Sequence, residues 1–259
     1  MSVATHTVNG NYFMSRIHRR YFVAGNFSRV TQNDGTVLTA NHLASWDGKS
    51  WRAYDGGTNG PITALFVDSC FNVYVAGQFT MAGGIETGPI AVWHTYNHKW
   101  SSLGVMNSTG KYTTDEIKTI SVRCFDIPTD TARCKCQVYV GGQFEFYLNN
   151  RTDTVATNVA MFETKDKRWS NLGGVHIHGI HSSVNSVDFR DFALTVVSRY
   201  GWFGGDGFLK RYMYDNGAHT WTTIESIKPG DTISDVYYDP DYFSYAVVLV
   251  SGQFTVNTT

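Results

Sequence analysis

A chain of 259 residues suffices for one large domain or two small ones. Its net charge of −1 excludes the basic footprint of a nucleic-acid binder, and no apolar run reaches the ~18 residues of a membrane-spanning helix. Charged residues make up only 17% while aromatics make up 15% and glycines number 25, a balance that favours β-strands joined by tight turns.

In chain order, the opening "MSVATHTVNGNYF" has no basic segment followed by an apolar one. The sequence is therefore expected either to be that of a cytosolic chain or to lack its natural N-terminus. The first strand-like segment is "VNGNYFM" from Val8 to Met14, followed by "YFVAGNF" from Tyr21 to Phe27, "HLASWDG" from His42 to Gly48, and "WRAY" from Trp51 to Tyr54. Each is short, rich in β-formers and bounded by turn residues. The same four kinds of segment then return in the same order.

The first kind reads "ITALFVD" from Ile62, "ISVRCFD" from Ile120, "VNSVDFR" from Val184 and "ISDVYYD" from Ile233, with Val8 beginning a weaker copy. The second reads "VYVAGQF" from Val73, "VYVGGQF" from Val138 and "VLVSGQF" from Val248, with "YGWFGGDGF" from Tyr200 as a degenerate copy. The third carries one large aromatic per copy: Trp46, Trp93, Phe162 and Tyr212. The fourth is Trp-x-x-apolar in each of four copies, at Trp51, Trp100, Trp169 and Trp221. Between the third and fourth kinds lie "DGKS", "YNHK", "KDKR" and "NGAH", which suit hairpin turns.

Repeats that start near residues 8, 62, 120, 184 and 233 have a period of roughly 50 to 65 residues. Four short antiparallel strands repeated at that period predict an all-β β-propeller of four-stranded antiparallel blades, with four complete repeats plus a partial fifth. The whole of 1–259 is expected to be a single propeller domain or propeller fragment. Blades stacked face to face bury both sides of the inner strands, which accounts for the unbroken apolar runs of the second segment. The paired glycines there suit a bulge or a close backbone approach. The four tryptophans are expected to be structural wedges between blades, each burying on the order of 200 Å²; sugar stacking is the functional alternative.

The string "YVAGQFTMAGG…PIAVWHTYNHKWSSLG" resembles the kelch-like propeller repeats of the galactose-oxidase central-domain type. It is most similar to the repeats of fungal cortical marker proteins that direct bud sites, and to those of large secreted bacterial and protist proteins. The resemblance covers nearly the whole chain and is best from Val73 to Gly104. It implies a scaffold or surface role and carries no catalytic motif to transfer. The fourth copy departs from it: Gly204 and Gly205 are followed by Asp206, and "KRYMY" replaces the Ala-apolar-Trp element.

After four complete repeats the first two segments occur once more, and the N-terminal residues supply another first segment rather than the missing third and fourth. Ring closure within the chain is therefore awkward. The expectation is a piece of a longer chain, or strands supplied by another molecule; a five-bladed ring with one thin blade is the lesser alternative. An open sheet edge is a ready template for a neighbouring subunit.

The cysteines are Cys70, Cys124, Cys134 and Cys136, an even number that permits two disulfides of undetermined pairing. Strands joined by "DIPTDTAR" would bring Cys124 close to Cys134 or Cys136, so a cross-hairpin disulfide is one expectation and buried free thiols are the other. A zinc site would want Cys-x-x-Cys or Cys/His pairs, which are missing. Sequons occur at Asn26, Asn107, Asn150 and Asn257. Asn107 and Asn150 lie in polar loops suited to glycans, whereas Asn26 sits inside the repeated Gly-x-Phe element. Together with the cysteines these tilt the expectation towards an extracellular or cell-surface location.

"HIHGIH" offers His176, His178 and His181 as weak metal candidates, without a carboxylate or cysteine at fixed spacing to complete a set, so no metal and no cofactor is expected. "TQNDGT" from Thr31 and "DPDYF" from Asp239 are turns rather than calcium loops. "SWDGKSW" is a hairpin, not the Asp-box turn of sialidases. No nucleophile elbow, phosphate loop or zinc-protease helix motif appears, so no catalytic residue is assigned. The expected function is a non-catalytic extracellular or cell-surface scaffold acting through protein partners or self-assembly. A lectin-like, carbohydrate-binding propeller is the alternative, and an enzyme with a site on the axial face is a lesser one.

Overall fold

A computed structural model describes residues 20–68, 70–104, 116–126, 134–147, 155–172, 184–190, 198–205, 208–215, 218–223, 231–239 and 247–254, and no helix occurs among them. The first sheet has the order β1-β4-β5. Its strands are β1 (Tyr21–Ala24), β4 (Leu43–Trp46) and β5 (Trp51–Ala53), with the hairpin β2 (Arg29–Thr31) and β3 (Val37–Thr39) inserted between β1 and β4. The second is β11-β10-β7-β6, built from β6 (Ile62–Val67), β7 (Val73–Gly77), β10 (Ile90–His94) and β11 (Lys99–Ser102). The small hairpin β8 (Met81–Ala82) and β9 (Ile85–Glu86) interrupts it.

Two further four-stranded sheets follow in simple up-and-down order. One comprises β12 (Glu116–Asp126), β13 (Lys135–Tyr147), β14 (Val155–Glu163) and β15 (Arg168–Ser170). The other comprises β16 (Val184–Arg190), β17 (Ser198–Gly205), β18 (Phe208–Asp215) and β19 (Ala218–Thr223). A last pair, β20 (Thr232–Asp239) and β21 (Val247–Gln253), forms a two-stranded sheet. The protein is thus all-β, with several four-stranded antiparallel sheets.

One local irregularity recurs in four sheets. The first strand slips register between Ile62 and Ala64, between Ile117 and Thr119, between Val184 and Ser186, and between Ile233 and Asp235. Each slip lies opposite the small-residue pair of the second strand, where Ile62 faces Gly77, Ile117 faces Gly142 and Ile233 faces Gly252. The extra residue bends the first strand onto its neighbour. A Cβ on Gly142 would overlap Glu116 O and come within 2.9 Å of Ile117 Cα, so only glycine fits there.

This register corrects the sequence reading at one place. The third repeat begins at Ile117 rather than near residue 120, because the bulge aligns Ile117, not Ile120, with Ile62, Val184 and Ile233. The run Ile117, Ile120 and Val122 is buried throughout, so its apolar pattern satisfies either register.

The residue before that glycine is small for a different reason. A Cβ on Gly141 would come within 2.8 Å of Val187 Cγ2, and one on Gly204 within 2.7 Å of Val236 Cγ2. The apolar pairs Val184/Val187 and Ile233/Val236 of the next sheet's first strand therefore sit on the small position of the sheet before. Ile117 and Ile120 share a buried cluster with Ala76, and Ile62 and Leu65 share one with Ala24. Hydroxyls stitch the same seams. Thr63 Oγ1 donates to Ile117 O at 3.1 Å, Val187 N donates to Thr119 Oγ1 at 3.2 Å, and Val236 N donates to Ser186 Oγ at 3.1 Å.

Candidate functional site

The tryptophans of the fourth segment form a ladder across the outer strands. Trp100 Nε1 donates to Tyr54 O and Asp55 O, each at 3.2 Å; Trp169 Nε1 donates to Leu103 O at 2.7 Å; Trp221 Nε1 donates to Leu172 O at 3.4 Å. Tyr54, Leu103 and Leu172 are the apolar residues that close the Trp-x-x-apolar motif of the preceding sheet. The Trp100 and Trp169 motifs therefore each supply an indole donor to the sheet before and a carbonyl acceptor to the sheet after, while the Trp51 motif supplies an acceptor and the Trp221 motif a donor. Buried indole N–H groups usually find such partners. Trp100 and Trp169 are buried, whereas Trp51 and Trp221 are half-buried. Each tryptophan also faces an aromatic across its hairpin: Trp46 opposite Trp51, Trp93 opposite Trp100, Phe162 opposite Trp169 and Tyr212 opposite Trp221.

The four cysteines converge at the seam between the second and third sheets. Cys124 and Cys136 are directly opposite each other in β12 and β13 and form one disulfide. Cys70, in the turn after β6, is bonded to Cys134 at the entry to β13. Each bridge joins one buried residue, Cys136 or Cys70, to a half-buried one, Cys124 or Cys134. The cross-hairpin disulfide expected of Cys124 is present, and no cysteine is free.

Asp68 lies against this pair and is only 3% exposed. It ends the first segment of the second repeat and holds the turn between β6 and β7. Its Oδ1 accepts from Cys70 N at 2.9 Å and Asn72 N at 2.8 Å, an Asx-type turn. Its Oδ2 accepts from Asn72 Nδ2 at 2.9 Å and Tyr74 Oη at 3.3 Å. Cys136 Sγ lies 3.8 Å from the same Oδ2, and the nearest ligand-type atoms of Asp68, Cys124 and Cys136 are all within 4.8 Å of one another. Metal binding there would need thiolates, which a disulfide cannot supply.

Burial pushes the Asp68 carboxyl above its ordinary value, and the hydrogen bonds from Asn72, Cys70 and Tyr74 offset only part of that cost. Burial also raises the Tyr74 phenol well above the usual range, and the adjacent Asp68 charge adds to the shift. Asp68 and Tyr74 are the residues that sequence reasoning missed. The only signal was the polar residue that closes each first segment, two positions before Cys70.

Of the sequons, Asn26 is described, and it is exposed despite its place inside the repeated element; Gln78, Gln143 and Gln253 at the matching positions are exposed too. Asn107, Asn150 and Asn257 lie outside the described residues, as do His176, His178 and His181. In "TQNDGT" the Asp34 carboxylate accepts from Thr36 N at 2.9 Å and from Thr36 Oγ1 at 2.6 Å. In "SWDGKSW" Asp47 Oδ1 accepts from Lys49 N and Ser50 N, both at 2.9 Å. Both carboxylates close hairpin turns. Comparison with known proteins finds no protein-family model that matches the chain and no curated protein significantly similar to it.

Proposed function

We propose that the chain is a kelch-like β-propeller scaffold, without catalytic activity of its own repeats, that works at the cell surface or outside the cell by self-assembly. Four-stranded sheets that follow one another with the same seam chemistry support the propeller arrangement. Two disulfides support an oxidising compartment.

The observation that carries the reading is the outward face of the last sheet. Leu249 occupies the position of Tyr74 and Tyr139 in the repeated second strand. Those two are 3% and 1% exposed, packed against the following sheet, whereas Leu249 is 58% exposed. Its cross-strand neighbour Tyr237 is 40% exposed. Ser251, at the small position that receives the next sheet's apolar pair, is also exposed. This face has the pattern of a buried seam, and the occupant that fits is an apolar-x-x-apolar strand of a second copy.

Sedimentation equilibrium tests this with the wild type and Leu249→Glu. The wild type is expected to gain mass with concentration and the variant to remain monomeric. A wild type that stays monomeric at high micromolar concentration overturns the self-assembly reading.

A further inference from the structure

We propose that the Cys124–Cys136 disulfide and Asp68 form a thiol–disulfide exchange site for dithiol reductants, with Cys124 the sulfur attacked and Asp68 the proton donor to Cys136. This does not rest on the scaffold reading; it follows from how the two sulfurs differ.

Cys124 is half-buried on β12, which lies at an edge of its sheet, whereas Cys136 is 1% exposed and packed among apolar residues of the core. An incoming thiolate reaches Cys124 more readily. Its attack forms a mixed disulfide on Cys124 and breaks the bond to Cys136, which leaves as a thiolate. A bare thiolate in that apolar setting is costly. The acid in contact with it is Asp68, whose Oδ2 lies 3.8 Å from Cys136 Sγ. Asp68 passes its proton to Cys136, and the resulting thiol donates back to the carboxylate. The reductant's second thiolate then attacks its own sulfur in the mixed disulfide, expels Cys124 as a thiolate and closes a cyclic disulfide. Two electrons pass from the dithiol to the protein disulfide, and the dithiol's two protons end on Cys124 and Cys136, one of them by way of solvent and Asp68. In the oxidising direction Asp68 takes the Cys136 proton and makes that sulfur the nucleophile.

Among the described residues the titratable group against Asp68 is Tyr74 from β7; the adjoining sulfurs of β12 and β13 are disulfide-bonded and take up protons only once reduced. Tyr74 keeps its proton, because burial opposes its ionisation. Desolvation favours the protonated form of Asp68, as a donor at this position requires. The Cys70–Cys134 bridge has no matching acid contact among the described residues. It ties the Asp68 turn to β13, a structural role.

The test uses the full chain under native conditions with dithiothreitol as the reductant, from pH 5 to pH 8. Free thiols are alkylated at intervals and located by peptide mass mapping. Cys124 and Cys136 are expected to be reduced before Cys70 and Cys134 while the fold persists. Asp68→Asn is expected to slow that step about tenfold or more at the acid end, within the range of general acid catalysis. The ratio of wild-type to variant rates should shrink as pH rises and Asp68 ionises, which a purely structural effect would not produce. A flat ratio, or earlier reduction of Cys70–Cys134, overturns the proposal. If Asp68→Asn does not fold, trapping the wild type with glutathione decides: a mixed disulfide on Cys124 supports the assignment, and one on Cys136 overturns it.

Discussion

Trp169→Phe isolates the contribution of one rung of the ladder. Trp169 is 5% exposed, its Nε1 donates to Leu103 O at 2.7 Å, and its ring lies 5.2 Å from that of Phe162. Phenylalanine keeps an aromatic ring but removes the donor and leaves Leu103 O without it in a buried seam, at a cost of about 1–3 kcal/mol. The smaller ring adds a partial cavity, so the total loss is expected to be roughly 2–4 kcal/mol. Trp221→Phe is the internal control. Its bond to Leu172 O is 3.4 Å and its ring is half-buried, so water can replace the lost donor and the cost is expected to stay near or below about 1 kcal/mol. Equilibrium urea denaturation of the three chains reads the difference, with the slope monitored so that a shift of midpoint reports stability. If Trp169→Phe changes stability by less than about 0.5 kcal/mol, or if Trp221→Phe costs as much, the ladder is not what joins the sheets.

Three further outcomes follow from the same geometry. Gly142→Ala forces β13 away from β12 and is expected to cost about 2 kcal/mol or more, whereas Gly84→Ala, with open space around it and φ +79°, bears only the left-handed penalty of about 1–2 kcal/mol; thermal denaturation ranks the two. Replacing Cys70 and Cys134 by alanine opens a link of sequence separation 64 and is expected to cost about 4 kcal/mol, against about 3 kcal/mol for the Cys124–Cys136 pair at separation 12, read by denaturant unfolding. Tyr54 and Tyr74 both have phenols raised by burial, so the folded state holds their protons more tightly than the unfolded state. Stability is therefore complete below the ordinary phenol range near pH 10 and is lost as pH rises through and beyond it. Melting temperatures from pH 8 to 11 should show this fall, and Tyr74→Phe should lessen it.

Much of the architecture was legible because side-chain chemistry repeats. The Trp-x-x-apolar motif and the Gly pair mark equivalent strands whatever the loop lengths between them. The reason for each mark was less visible. The acceptor of each indole is a backbone carbonyl one sheet away, and any residue carries a carbonyl. The register of the third repeat was ambiguous because Ile117 and Ile120 are both apolar, and only the bulge opposite Gly142 separates them. The disulfide pairing depended on Cys70, which is 64 residues from its partner and joins it only through the packing of two sheets. Asp68 resembled the other polar residues that end first segments, until the fold buried it beside Cys136.

Hydroxyl-radical footprinting of Tyr237 and Leu249 in dilute and concentrated solution tests the assembly of copies through the last sheet most directly. Both side chains should react freely when dilute and become protected together as concentration rises, while the already buried Tyr74 and Tyr139 react little in either state. Equal reactivity of Tyr237 and Leu249 at all concentrations would contradict the account.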